Sequence, residues 1–259
     1  MNDALTVHIE GIGWCSPGLA DWDAARGALR EGKLLERIGS MKCMPALLPA
    51  NERRRAPEIV QLACEIAGQA CAMSGRNAAD LPCVFATMHG DAAITEDLCV
   101  TLAGNPLELS PTRFHNSVLN AAAGYWTVAT QCHAASNAVS ASGATFAAGL
   151  FEAAVEAHAD SMPILFAAYD AHGQGALAET MQLATTWGVA LVLNPHRSPR
   201  TRAILRLRHD GRVPAAPPLA TGTPFEAALP LFAALAHGRG GEVRIANGRS
   251  TTLAIEVLA

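Results

Sequence analysis

The segment NAVSASG, residues 137–143, has the residue types of a turn that carries a nucleophile. A short strand would end at Val139, and Ser140-Ala141-Ser142-Gly143 would make a sharp turn into the helical sequence ATFAAGLFEAAVEA. A side chain at such a turn is exposed near a helix N-terminus, where unpaired N–H groups favour developing negative charge. The sequence therefore predicts Ser140 as the position of a nucleophile.

Asp170 and His172 are the conceivable partners of a serine nucleophile, so a serine acyltransferase or Ser–His–Asp hydrolase is one interpretation of Ser140. A serine hydroxyl is a weak nucleophile unless an adjacent base removes its proton. The turn lacks the G-x-S-x-G pattern, and an i, i+2 Asp-His pair does not place the carboxylate behind the imidazole. The alternative interpretation is that Ser140 is a small residue that only fills its position.

Two other patterns could hold a metal ion or a nucleotide. The pairs His158/Asp160 and Asp170/His172 have ligand chemistry, but no third or fourth ligand follows at a recognised spacing. The sequence Gly11-Ile12-Gly13 follows a predicted strand, but the third glycine of a dinucleotide-binding motif is missing. We predict no metal site and no bound cofactor, and we assign the two glycines to a turn.

Hydrophobic periodicity indicates an α/β framework for these residues. Apolar residues at helical spacing predict a helix over 56–74, and short apolar runs predict buried strands over 82–88, 162–169 and 188–193. An alternating strand over 5–11 precedes them. Strands that alternate with helices of this length predict α/β layers around a mostly parallel sheet.

The segment 110–152 is the most informative part of the chain. We predict a helix from an N-cap at Asn116 to Ala129, with apolar residues around most of its circumference, which indicates burial on most sides. No residue from Phe114 to Phe151 is charged, yet the polar side chains are too many for a membrane span. This stretch should lie inside the protein or in an interface with another protein.

The composition of the chain changes after Asp210. We predict one unit over 1–210, followed by a linker, a helix and a C-terminal hairpin over 211–259 that complete the same domain. The linker prediction rests on the proline and glycine content of 211–224.

Local patterns define the elements after this linker. The sequence from Thr223 to Glu226 has a capping-box pattern and predicts a helix start, and Pro230 should kink or shorten that helix. Asn247-Gly248 lies between two strand-like runs. It therefore predicts a hairpin.

Composition and charge exclude several classes of protein. Half of the 259 residues are hydrophobic and 16% are charged, which excludes a disordered chain. The formal net charge of −4 provides no broad cationic surface, so we expect no nucleic-acid partner. Seven cysteines without a C-x-x-C pair, behind an N-terminus that lacks a signal-peptide pattern, predict a cytoplasmic protein.

Several of these stretches resemble the β-ketoacyl-acyl-carrier-protein synthases, the condensing enzymes of the thiolase fold. The start VHIEGIGWCSPG, followed by a helix ending in LREGK, is similar to their opening, and Ser140 stands where they carry the active-site cysteine. The stretches SPTRFHNSVLNAAAGYWTVAT and SASGATFAAGLFEA are more closely similar to short ketosynthase-like proteins of aryl polyene and xanthomonadin-type pigment clusters. The resemblance covers about residues 4–194, essentially the first half of a condensing enzyme.

The resemblance implies a thiolase-like layered α/β fold, the N-terminal half of a ketosynthase, with a reduced C-terminal helix and hairpin. It implies a non-condensing subunit, because the cysteine is replaced and the half that carries the catalytic histidines is reduced. Such a chain-length factor pairs with an active β-ketoacyl-ACP synthase in a heterodimer and shapes its acyl tunnel. The substrate of that complex would be an acyl-phosphopantetheine on acyl carrier protein, and the pathway aryl polyene biosynthesis.

The resemblance also implies where the partner and the acyl tunnel lie. Family members pair across the strand before the strand-to-helix turn at residues 140–143, here called the elbow, so residues 132–138 would hydrogen-bond to the partner's equivalent strand. A closed apolar end of the tunnel would limit the chain length, because each added unit must find buried volume. The residues that we assign to the tunnel and interface are Phe114, His115, Asn116, Val118, Ala121, Ala122, Tyr125, Trp126 and Asn137.

Overall fold

A computed structural model describes residues 4–33, 41–173, 175–181, 185–211, 226–248 and 251–258. The strands of the described residues are β1 (Leu5–Cys15), β2 (Cys83–Ala86), β3 (Ser136–Val139), β4 (Ile164–Asp170), β5 (Trp187–Asn194), β6 (Ala203–Asp210), β7 (Gly241–Ala246) and β8 (Thr252–Leu258). The helices are α1 (Trp22–Glu31), α2 (Ala50–Arg55), α3 (Glu58–Ser74), α4 (Ala92–Gly104), α5 (Pro111–Asn116), α6 (Ala121–Thr130), α7 (Thr145–Asp160), α8 (Ala176–Met181) and α9 (Leu229–His237).

The eight described strands form one sheet in the order β3-β2-β4-β5-β1-β6-β8-β7. Strand β2 is parallel to β3 and β4, whereas β1 is antiparallel to both of its neighbours, β5 and β6. The pairs β4–β5, β6–β8 and β7–β8 are also antiparallel. The prediction of a mostly parallel sheet was therefore wrong. Helices cover both faces of β4 and β5, so their apolar runs did not reveal strand direction.

Helices cover both faces of the central strands. On one face, α1, α7 and α9 pack over an aromatic cluster in which the rings of Trp14 and Phe232 lie 5.4 Å apart and those of Phe146 and Phe166 lie 5.5 Å apart. On the other face, α3 and α6 pack over a second core that contains Phe85. The arrangement is a helix–sheet–helix sandwich, and the sheet positions the elbow at one of its ends.

Gly11 and Gly13 lie inside β1, which continues to Cys15, so the predicted turn at these glycines was wrong. A Cβ atom on Gly11 would lie 2.0 Å from the carbonyl oxygen of Ala70, and one on Gly13 would lie 2.0 Å from that of Ile66. Both carbonyls belong to α3. The two glycines therefore allow the backbone of α3 to pack directly against β1.

The C-terminal elements extend the same sheet. Helix α9 begins at Leu229 and has Pro230 in its first turn, where a missing N–H is tolerated. Of the two predicted effects, the proline therefore does not kink the helix but stands at its start, after a 3-10 turn over Glu226–Ala228. Strands β7 and β8 pair antiparallel, which confirms the predicted hairpin. The predicted linker beyond Gly211 and the predicted Thr223 cap lie outside the described residues.

Glu10 is fully buried at an irregularity of β1. Its carboxylate accepts hydrogen bonds from the Arg76 guanidinium, from Nδ2 of Asn194 at 2.9 Å and from the hydroxyl of Ser198. Burial alone would raise the pKa of Glu10. The three hydrogen-bond donors and the charge of Arg76 instead lower it from 4.5 to about 2.

We expect part of the folding stability to depend on the ionisation of Glu10. Because the pKa is lower in the folded state, this contribution is present above pH 4.5 and is lost as the pH falls through about 2. Glu10→Gln should lower the free energy of unfolding at neutral pH and flatten its acid dependence in this window. Urea unfolding across the window, with the exposed Glu31→Gln as control, tests this. Parallel pH profiles for Glu10→Gln and the wild type would contradict it.

Candidate functional site

The predicted strand-to-helix turn is present. Strand β3 ends at Val139, Ala141 and Gly143 form an isolated bridge, and α7 begins at Thr145. Ser142 has a φ of 51°, in the left-handed region. The Thr145 hydroxyl accepts a hydrogen bond from the backbone N–H of Ala141 at 3.0 Å and donates to the carbonyl of Ser142 at 2.6 Å. These bonds hold the turn against the first residue of the helix.

Ser140 is exposed, and its hydroxyl donates a hydrogen bond to the backbone carbonyl of Met88 at 2.9 Å. Among the residues that the structure describes, no histidine or carboxylate hydrogen-bonds to Ser140 Oγ. A carbonyl is an acceptor that cannot act as a proton-accepting general base for the hydroxyl. The described part of the chain therefore does not provide the activation that a serine nucleophile needs.

Asp170 holds the loop after β2 and does not pair with His172. Its carboxylate accepts a hydrogen bond from the Thr87 hydroxyl at 2.7 Å and others from the N–H groups of Met88 and His89. Burial raises the pKa of Asp170 to about 7, although these hydrogen bonds act in the opposite direction. The backbone carbonyl of Met88 in turn accepts a hydrogen bond from the hydroxyl of Ser140. The end of β4 is therefore joined to the elbow through this loop.

Three of the predicted interface residues lie on the surface around α5. Phe114 is 64% exposed, and His115 and Val118 are also exposed. They belong to α5 and to the turn that follows it. The structure thus leaves these three side chains on the outside of the protein.

Asn116 is the last residue of α5, so the prediction that it caps the next helix was wrong. The side chain of Ser110 caps α5, Pro111 occupies its first position, and α6 starts separately after Asn120. Asn116 is buried, and its side-chain oxygen accepts a hydrogen bond from the hydroxyl of Tyr125 at 3.2 Å. It therefore links α5 to α6.

The predicted residues on α6 face the interior. Ala122 and Trp126 are buried, and the ring of Trp126 lies 6.4 Å from that of Phe85 in the sheet. Ala121 and Tyr125 are half-buried against the same core. These four side chains fix α6 to the sheet, and they leave its opposite side exposed.

Two further exposed apolar side chains were not predicted from the sequence. Val128 on α6 is 74% exposed, and Leu107, in a short 3-10 turn before α5, is 94% exposed. The exposure of Leu107 could have been predicted from the sequence, because Leu107 is an apolar residue within the loop 104–113. The signal for Val128 was absent, because α6 is apolar on most sides.

Strand β3 forms one end of the sheet, and among the described strands it pairs with β2 alone. The carbonyls of Ala135 and Val139 accept hydrogen bonds from the N–H groups of Cys83 and Thr87, at 3.0 and 3.2 Å. Successive residues of a strand direct their N–H and C=O groups to opposite sides. The backbone groups of Ser136 and Ala138 therefore point away from β2, towards the outer edge.

Asn137 is exposed on β3, and its side-chain N–H donates a hydrogen bond to the carboxylate of Glu156 on α7.

In the described ranges, no group of three or more His, Cys, Asp or Glu side chains is placed to hold a metal ion. The helices of the described residues are too short or too polar to span a lipid bilayer.

Comparison with solved structures identifies the fold. A structure described as the ketosynthase ApeO in complex with its chain length factor ApeC, from Xenorhabdus doucetiae, aligns with a TM-score of 0.75 and 22% identity, over 97% of this chain and 99% of the other. The ishigamide ketosynthase/chain length factor aligns with a TM-score of 0.71 and 14% identity, over 97% and 99%.

A third structure, a type II acyl-carrier protein in complex with its ketosynthase (AntDE:AntF), aligns with a TM-score of 0.76 and 11% identity over the full length of both chains. At these identities the likeness shows a shared fold. The chain therefore has the thiolase-like fold of ketosynthases, as the family resemblance implied.

Sequence comparison assigns the family. A search of curated proteins finds no match to this chain. The family model described as β-ketoacyl synthase, N-terminal domain, matches residues 31–238, which include the elbow and most of the sheet. The chain therefore belongs to the β-ketoacyl synthase N-terminal domain family.

Proposed function

We propose that this chain is a non-condensing ketosynthase-like subunit, a chain-length factor, which pairs with an active β-ketoacyl-ACP synthase across β3. The observation that carries this proposal is the open edge of β3, which leads directly into an elbow without an activated nucleophile. The similarity to structures described as ketosynthases with their chain length factors supports it.

The two ends of the sheet differ in a way that favours pairing at β3. At the other end, β7 carries Glu242 and Arg244, and Glu242 pairs with Arg208 of β6. Charged side chains on an edge strand are a common protection against unwanted strand pairing. Strand β3 has the sequence SNAV and carries no charge. An edge of this kind is suited to receive the strand of another subunit.

Exposed apolar residues that precede β3 in the sequence fit an interface core. Phe114, Val118 and Val128 are exposed within a stretch that has no charged residue from Phe114 to Phe151. Interface cores are depleted in charged residues and enriched in aromatic ones, and large exposed apolar patches are rare on monomers. These residues are therefore proposed to be buried against the ketosynthase.

The chemistry of the complex is assigned to the partner. Ser140 replaces the cysteine that takes the acyl chain in condensing enzymes, and the Met88 carbonyl is its hydrogen-bond partner. The partner would carry the acyl chain from acyl-phosphopantetheine on acyl carrier protein, and this chain would close part of the tunnel. The motifs of residues 110–152 favour an aryl polyene as the product, and the free cysteines fit a reducing cytoplasm.

Light scattering on the chain alone and on the chain co-expressed with the ketosynthase encoded nearby tests the pairing. We expect a stable 1:1 complex that retains malonyl decarboxylation and condensation when the partner's active-site cysteine is intact. Recovery of the chain as a monomer that ignores the ketosynthase would refute the proposal.

Phe114 is the assigned tunnel residue with the largest exposed side chain, so its size should affect product length. We expect Phe114→Ala to lengthen the polyene made by the complex, because it removes apolar bulk at the proposed closed end. Mass spectrometry of the released products measures this. The control is Met44→Ala, since Met44 is 65% exposed, as much as Phe114, but lies outside the uncharged stretch. Identical product lengths for both variants would contradict the tunnel role.

A further inference from the structure

We infer that an acidic face of α7 makes the β3 edge select a partner with a basic helix face over a second copy of this chain. The acidic face consists of Glu152, Glu156 and Asp160, which follow one another at four-residue spacing and so lie on the same side of the helix. This inference rests on the proposed function and specifies the chemistry of the partner.

The acidic face lies beside the open edge. Glu156 accepts a hydrogen bond from the side chain of Asn137, which belongs to β3, and it is half-buried. Glu152 and Asp160, one helical turn to either side, are exposed. A subunit that adds a strand to β3 would therefore bring its own flanking helix towards these carboxylates.

The carboxylates repel one another, and within the described part of the chain no ion pair compensates this repulsion. Burial raises the pKa of Glu156 and its bond with Asn137 lowers it, while the charges of Glu152 and Asp160 raise it further. None of the ion pairs found in the described ranges involves these three residues. Negative charge on this face is therefore available to an incoming subunit.

The sequence gives an independent reason for this imbalance. Between Arg113 and Arg197 the chain contains no lysine or arginine, although it contains the elbow, β3 and the whole of α7. A second copy of this chain would bring the same cation-free segment to the interface. On this inference, the positive charge that complements Glu152, Glu156 and Asp160 comes from a different protein.

The two-fold symmetry of a homodimer would bring the acidic faces of α7 from both copies together. Two copies that pair through the same edge form an isologous interface, in which each surface meets its own copy across a two-fold axis. The acidic faces of both copies would then approach each other, and like charges suppress a wrong partner. A ketosynthase with lysine or arginine on the corresponding helix would be attracted instead. The same edge would in this way favour the heterodimer.

The charge reversal Glu152→Lys tests this inference, because Glu152 is exposed and its side chain forms no hydrogen bond or ion pair with the described residues. By sedimentation velocity at low salt, we expect the variant to self-associate at least about tenfold more tightly than the wild type, and its complex with the ketosynthase to weaken by a similar factor. Glu31→Lys makes the same charge change on α1 and should alter neither equilibrium.

Salt provides a second readout that does not depend on a substitution. Raising the ionic strength from about 0.05 to about 0.5 M shortens the screening length severalfold, so wild-type self-association should increase while the heterodimer weakens. If the wild-type chain forms no complex with the ketosynthase, the proposed function itself fails. If the complex forms but Glu152→Lys behaves like Glu31→Lys, the inference on charge selection alone is refuted.

Discussion

Replacing Ala138 with proline is expected to abolish the complex with the ketosynthase while the chain itself remains folded. The N–H group of Ala138 points away from β2, so its loss removes no hydrogen bond within the chain. Proline has no N–H to donate to an added strand, and in sheets it is tolerated on the free side of an edge strand. Light scattering of the co-expressed pair should show two separate proteins, a loss of affinity of at least about a hundredfold.

The control for this substitution is Ala138→Ser. Serine, like proline, has a slightly larger side chain than alanine, but it keeps the backbone N–H. It should leave the complex intact. Circular dichroism and thermal unfolding of Ala138→Pro should match those of the wild type. A proline variant that folds and still forms the 1:1 complex would exclude strand addition at β3 as the mode of pairing.

The elbow could be predicted from the sequence because its signals are local. Small residues from Ser140 to Ala144 follow a short strand and precede a helix-forming run, and the structure contains that turn. The buried strands β2, β4 and β5 were recognisable for the same reason, since an apolar run between turn residues needs no information from distant parts of the chain. The family resemblance added the expectation of the layered fold.

The orientation of α6 could not be predicted, because an alanine-rich helix that is apolar on most sides carries little information about its buried face. Trp126 is fully buried, whereas Val128, two residues later, is largely exposed, and both are apolar. The division at Asn116 was missed because the competing N-cap, Ser110, stands only six residues earlier. Helix boundaries of this kind depend on which of two nearby caps is used.

The role of Gly11 and Gly13 was also hidden, because it depends on α3, which follows β1 by more than 40 residues. In sequence, two glycines after a strand are typical of a turn. In the structure they are strand residues over which a helix backbone passes. A close approach between distant segments leaves no local signature other than the glycines themselves.

Gly13→Ala is expected to destabilise the chain by about 3 kcal/mol or more, the upper end of the range for overpacked cores. The added methyl group would lie 2.0 Å from the carbonyl oxygen of Ile66. Because this atom belongs to the backbone of α3, relief requires the whole helix to move, and α3 contributes ten buried residues to the structure. Urea unfolding followed by circular dichroism measures the loss.

Gly27→Ala adds the same methyl group at a position where nothing lies within 4 Å, in the middle of the exposed side of α1. Alanine is a better helix former than glycine, so the free energy of unfolding of this variant should rise by about 1 kcal/mol. If Gly13→Ala lowers the free energy of unfolding and Gly27→Ala raises it, the steric effect at Gly13 is separated from any general effect of replacing glycine with alanine. Equal stability of the two variants would mean that α3 does not pack against β1 as described, and the two glycines would again be open to interpretation as a turn.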